Sequence, residues 1–226
     1  MLLNPAVWGV VPEFAVVVMA GLVGVVAGRY VRTLVGGFEA EPDDPRAEGR
    51  AALRAVLRTV PLPVWPPTYE LMTAGVLAVV VWRAGPAYAY AAVVGTALAA
   101  VDWRTARLPD VITLPSYPIL ALTLLPTGEL PRGLAGGLAL AACYGLLWVI
   151  RPADLGLGDV KLAGLIGMAC AAVGWQSWVV AAVGGQLLGA LYAVLLLVTR
   201  RGDRRTEFPF GPFMLLGALA GLCLGR

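Results

Sequence analysis

GLGDVKLAGLIGMACAAVG, residues 156–174, decides the fold: Asp159 opens a segment that carries no charge beyond Lys161. An ionisable side chain at the edge of an apolar run is costly in lipid, so its default reading is functional and calls for a partner. The partner stands at the end of a second such run, where about 87–101 is apolar and closes on Asp102. Each aspartate is the other's candidate partner.

Working outward, the rest of the chain has the same character. Hydrophobic residues make up 59% of the 226 positions and charged residues 14%, with no histidine. The mean hydropathy is +0.80. Such a chain is too apolar for a soluble domain, and several of its runs approach the ~20 residues that cross a bilayer as a helix. A transmembrane barrel needs alternating strands, whereas these segments are apolar all round and rich in Ala, Leu, Val and Gly. The spacing predicts eight spans, roughly 11–28, 68–83, 87–102, 111–126, 133–150, 160–174, 177–198 and 209–225. The expected fold is therefore all-α, a polytopic membrane helical bundle of about eight transmembrane helices. Residues 1–67 form its first helix and a basic cytoplasmic loop, and 68–226 form the embedded bundle. The first span, about Ala15 to Ala27, has no basic residue ahead of it and reads as an anchor, not a removed signal.

Charge sets the expected orientation. With the N-terminus outside, alternation leaves only Arg83, Arg132 and Arg226 on the outer side, and fourteen of the 17 Lys and Arg residues, Arg201, Arg204 and Arg205 among them, on the inner side. Span three then runs inward to Asp102 and span six outward from Asp159, which puts both carboxylates at the cytoplasmic face. The longest loop, about 29–67, is also internal. Within it Arg46, Arg50, Arg54 and Arg58 recur at i, i+4 spacing over 46–60, as in an amphipathic helix lying on anionic headgroups or in a solvated charged face. Pro61 to Pro67 ends that helix. Glu39, Glu41, Asp43 and Asp44 read either as a solvated run or as an attractor for a basic peptide.

The available chemistry is narrow. Cys143, Cys170 and Cys223 fall in apolar spans without Cys-x-x-Cys spacing, so neither a disulfide framework nor a zinc site is expected, and no metal is assigned. Two carboxylates held within a few ångströms cannot both ionise easily, and such a pair shares a proton. One can then deprotonate water while the other donates to a scissile carbonyl. Taken singly, each aspartate has a plainer role: Asp102 can pair with Arg104 or Arg107, and Asp159 can favour the dipole of its own helix and pair with Lys161. Around them, Gly156 and Gly158 are expected to allow unusual backbone dihedrals, and Lys161 to bias the pair's ionisation. Pro109 and Asp110 suit the first turn of the fourth span. Pro209-Phe210-Gly211-Pro212 opens the last span on the same face.

These pieces together resemble the type IV prepilin peptidases, membrane aspartyl proteases named for a Gly-x-Gly-Asp motif. The matching segments are Asp102 with Leu108-Pro109-Asp110 and Thr113-Leu114-Pro115, then Gly156 to Lys161, then Pro209 to Pro212, over about 100–215. The resemblance implies catalytic aspartates at Asp102 and Asp159. It also implies cleavage of a short basic leader from prepilin-like proteins with a hydrophobic helix, at the cytoplasmic face of the inner membrane, with no nucleic acid involved. Larger members resemble bifunctional enzymes that also N-methylate the product with S-adenosylmethionine, and many carry paired Cys-x-x-Cys motifs in the first loop, which here has no cysteine. The peptidase needs no cofactor, and S-adenosylmethionine enters only where methyl transfer is retained. The rival class is a proton-coupled transporter or channel subunit using the same acids as a relay.

Overall fold

The computed structural model describes residues 13–58, 62, 64–152, 155–200 and 208–224. Among them the chain is helical and without strands: α1 (Glu13–Gly36), α2 (Pro45–Arg58), α3 (Thr68–Arg83), α4 (Ala89–Thr105), α5 (Asp110–Leu124), α6 (Leu130–Ile150), α7 (Leu157–Val173), α8 (Trp175–Val198) and α9 (Gly211–Leu224). Every expected apolar segment is a helix, and α2 is the amphipathic one. Three helices are long and apolar enough to cross a membrane, Phe14–Gly36, Leu130–Ile150 and Trp175–Val198, and Gly211–Leu224 is a shorter apolar helix. At 1.5 Å per residue α3, α4, α5, α7 and α9 extend only about 21–26 Å, against ~30 Å of hydrocarbon. Of the arginines used for orientation, Arg201, Arg204, Arg205 and Arg226 lie outside the described residues, as do Pro61 and Pro63.

Small residues set the packing. Between lipid-soluble helices no hydrophobic force distinguishes neighbour from lipid, so close backbone contact has to hold them together. Three antiparallel pairs do this: α1 with α3, α6 with α7, and α8 with α9. A Cβ at Gly24 would stand 2.5 Å from Ala74 Cα, while Gly28 faces Glu70 one turn on. Likewise Gly133 and Gly137 of α6 meet the carbonyls of Met168 and Gly164, and Gly185 of α8 meets Met214 of α9. Gly184 lies against Gly217, and Gly189 receives the ring of Phe210. The pairs are joined through α4, which touches α1, α3, α5 and α9, and through α7, which touches α5, α6, α8 and α9. Helix α7 is buried without a break from Leu162 to Ala172, which is why its sequence has no polar face.

Polar groups mark the two ends of the bundle. Arg83 at the end of α3 donates through Nε to the Cys223 carbonyl at the end of α9 (2.9 Å), and Arg132 donates to the carbonyls of Ala171 and Ala172 (2.7 Å each) at the end of α7. Carbonyls at a helix C-terminus have no partner in their own helix, and a guanidinium supplies both donors and favourable charge. At the opposite end Arg32 clasps Glu70, with Nε to Oε1 at 3.1 Å and a second nitrogen to Oε2 at 2.5 Å. Glu70 is 3% exposed. Replacing it with glutamine loses a charge-assisted bond, so Glu70→Gln lowers the protein's stability by about 1.5–3 kcal/mol, read as a lower thermal midpoint in detergent.

Helix α2 starts where its chemistry dictates. Asp44 Oδ1 accepts the N–H groups of Arg46 (2.8 Å) and Ala47 (3.1 Å), and Pro45 takes the first helical position, where no N–H is needed. Those bonds, from Ala47 and then Arg46, hold the Asp44 carboxyl below its ordinary range. Asp44 is thus a cap within the acidic run. Gly49 and Ala52 form the buried face, Gly49 against Val111 of α5, while Arg46, Arg50, Arg54 and Arg58 are exposed. Cys143, Cys170 and Cys223 are free thiols.

Candidate active site

Asp102 sits one turn before the end of α4, which stops at Thr105 because Ala106 turns left-handed (φ 50°) and returns its N–H to the Asp102 carbonyl at 2.8 Å. Its carboxylate pairs with neither Arg104 nor Arg107. Arg104 donates to the Val35 carbonyl (3.1 Å), and Arg107 to the Glu39 carbonyl (2.9 Å) and to Glu48 (3.4 Å). Asp102 is 4% exposed, and its Oδ2 accepts the backbone N–H of Gly211 at 2.9 Å. Gly211 is the first residue of α9, so the positive end of that helix meets the carboxylate. This contact explains the Pro209 to Pro212 motif. A Cβ on Gly211 would stand 2.8 Å from Oδ2, and Pro212 occupies a first-turn position that needs no donor.

Asp159 is the third residue of α7. Its Oδ2 reaches back to the N–H of Gly156 (3.1 Å), closing a cap on its own helix, as the dipole argument expected. The expected role of the two glycines is corrected. Gly156 is extended (φ −80°, ψ 149°), Gly158 is helical, and among the described residues the positive-φ glycines are Gly85 and Gly128. What Gly158 provides is room, since a Cβ there would stand 3.0 Å from Leu108 Cβ in the segment leading to α5.

Lys161 also differs from expectation. Its Nζ lies 2.5 Å from Asp110 Oδ1, tying the first turns of α7 and α5, and its carbonyl accepts the Tyr117 hydroxyl at 2.7 Å. Asp110 is accordingly a first-turn acid and a partner for lysine, with Pro109 as the N-terminal flank of α5. Both side chains are a third or more exposed, so this pair is worth little. Asp110→Asn shifts stability by no more than about 1 kcal/mol, read as a thermal midpoint in detergent close to that of the wild type.

One open cleft of about 1130 Å³ holds both aspartates. Gly156, Gly158 and Pro209 also line it, whereas Pro109, Asp110, Lys161, Gly211 and Pro212 do not. Asp159 lies near enough for its charge to act on Asp102. Leu108 and Phe210, from the same motif segments, line it too, together with residues that the sequence did not single out for this site, among them Leu147, Leu155 and Phe208. Gln186 faces the cleft as well, and the ring of the buried Tyr144 lies 6.5 Å from that of Phe210. Such a pocket can admit an extended peptide beside two acids, with water entering from the open side.

Residues 89–194, from α4 into α8, match the model of the type IV leader peptidase family. The prepilin leader peptidase/N-methyltransferase of Aeromonas salmonicida is 29% identical over 171 residues, covering 70% of this chain and 58% of that protein. That of Burkholderia pseudomallei is 33% identical over 177 residues, covering 70% and 54%. The corresponding protein of Escherichia coli K12 is 32% identical over 138 residues, covering 55% and 57%. The chain thus spans little more than half the length of these relatives. No solved structure matches. The segment that carries Asp102 and Asp159 is thus similar to the type IV leader peptidase family.

Proposed function

We propose that this chain is a membrane aspartic endopeptidase that removes the short basic leader of type IV prepilin-like proteins at the cytoplasmic face of the inner membrane. One observation carries the reading: Asp102, at the end of one helix, and Asp159, at the start of another, open into the same cleft. The ionised member takes a proton from water, the protonated member donates to the scissile carbonyl, and water attacks without a covalent intermediate. The Gly211 N–H steadies Asp102, and the Gly156 N–H steadies Asp159.

In this reading α1 and α3 to α9 all cross the bilayer, the shorter ones by local thinning, with the N-terminus outside. Depth separates the enzyme from a proton relay. A relay needs acids near the midplane, whereas these two stand at helix termini on one end of the bundle, far from the Arg83 and Arg132 caps. The relatives are named as both peptidase and N-methyltransferase, and the proposal extends to the peptidase alone.

Co-expression with a protein bearing a basic leader, a glycine and an apolar helix tests the reading. The expected product is shortened by the leader, with its new N-terminus located by sequencing. Unchanged substrate in membranes that contain the folded protein would defeat the proposal. The purified chain is expected to cut at the same rate with and without S-adenosylmethionine, followed by gel shift.

A further inference from the structure

A second cavity, of about 490 Å³, runs beside the catalytic helix between α3, α4, α7 and α9. It follows α4 from Ala91 to Arg104, roughly 20 Å of helix, which exceeds the ~15 Å half-thickness of the hydrocarbon core. Met72, Val76, Ala99 and Leu216 are among its apolar walls. Three of the hydroxyls in those walls are already spent. Thr96 bonds the Ala92 carbonyl (2.8 Å), Tyr90 meets Ser116 (2.8 Å), and Ser116 bonds the Ile112 carbonyl (2.6 Å). A slot with so few spare polar groups takes an apolar guest in preference to water.

Its mouth is different. Thr68, Trp103 and Arg104 stand together at the end where α3 begins and α4 finishes. Arg104 is exposed and spends one nitrogen on the Val35 carbonyl, and among the described residues its other donors have no partner. Trp103 is 57% exposed, as suits a side chain at headgroup depth. A positive, many-donor group above a long apolar slot is complementary to a phosphodiester joined to a hydrocarbon chain.

We propose that this cavity is a phospholipid site, with one acyl chain in the slot along α4 and the lipid phosphate on Arg104. A substrate helix is the competing occupant, and a protein adduct at position 99 in the experiment below would reveal it. The lipid has a consequence for the neighbouring site, because α4 carries Asp102 on its other side and a filled slot holds that helix in place. The assignment rests on the chain being embedded in a membrane and not on its being a peptidase.

Native mass spectrometry of the protein released into mild detergent tests it directly. The expected spectrum shows a species heavier by one phospholipid. Arg104→Gln lowers that species several-fold, and Ala99→Trp, which fills the slot, removes it, while both variants keep the wild-type helicity by circular dichroism. A photo-crosslinking residue placed at Ala99 in membranes provides a second readout that survives a folding defect in either variant, and its expected adduct is lipid. Lipid retained equally by Ala99→Trp, no lipid on the wild type, or a protein adduct at position 99 would each overturn the assignment.

Discussion

Asp102→Asn and Asp159→Asn each reduce processing of a co-expressed prepilin by about 10²–10⁴-fold, the usual contribution of a positioned acid or base. Asparagine keeps the shape and the hydrogen-bond acceptor, so Asp102→Asn still receives the Gly211 N–H and Asp159→Asn still caps α7. Membrane insertion and helicity therefore stay at wild-type levels, and the loss isolates the exchangeable proton. In the proposed mechanism the two acids act as one unit on one water molecule, so the double variant should be about as inactive as either single variant, not inactive by the product of the two losses. Cleavage is followed as the ratio of precursor to product in membranes. A single variant that retains full cleavage removes that residue from the mechanism, and multiplicative losses would mean that the acids act on separate steps.

How much of this was legible in the sequence follows from the range of each interaction. Apolar runs specify helices locally, so the eight segments and α2 could be read from hydropathy and from the spacing of Arg46, Arg50, Arg54 and Arg58. Asp102 and Asp159 stood out because charge at the edge of an apolar run is rare, not because their contacts could be foreseen. Contacts across the bundle could not be read. Lys161 is two residues from Asp159 in the chain, yet helix geometry turns it toward Asp110, 51 positions away. Glu70 lies in the first turn of α3, where an acid is ordinarily solvated, but the glycines of α1 bring that helix so close that Glu70 is enclosed and paired with Arg32. Gly156 and Gly158 were expected to bend the backbone, and what the structure uses at Gly158 is the missing side chain, against Leu108. In each case residue type was informative and partner was not, since partners depend on the crossing of two helices far apart in sequence.

Gly211→Ala is the sharpest consequence of that packing. The added methyl would stand 2.8 Å from Asp102 Oδ2, 3.2 Å from Asp102 Cγ and 3.4 Å from Leu162 Cδ2, with the carboxylate already bonded to the same residue's N–H. Neither partner can yield easily: Asp102 is enclosed on α4, and Leu162 is 1% exposed on α7. Relief must come from a shift of the carboxylate by a few tenths of an ångström or more, or from withdrawal of the first turn of α9, and either one loosens the Gly211 bond. Helix propensity by itself favours alanine over glycine by about 1 kcal/mol, so a stability change alone would have the opposite sign to the activity change. The expected result is a protein that inserts normally and melts within a few degrees of the wild type but cleaves about 10²-fold more slowly, the scale of a misplaced catalytic group. Gly158→Ala, whose methyl meets Leu108 and not an aspartate, is expected to cost less. Turnover of both variants on one prepilin decides the matter: equal, small losses would mean that the Gly211 contact positions nothing, and a loss confined to Gly211→Ala ties the Pro209 to Pro212 motif to the carboxylate it holds.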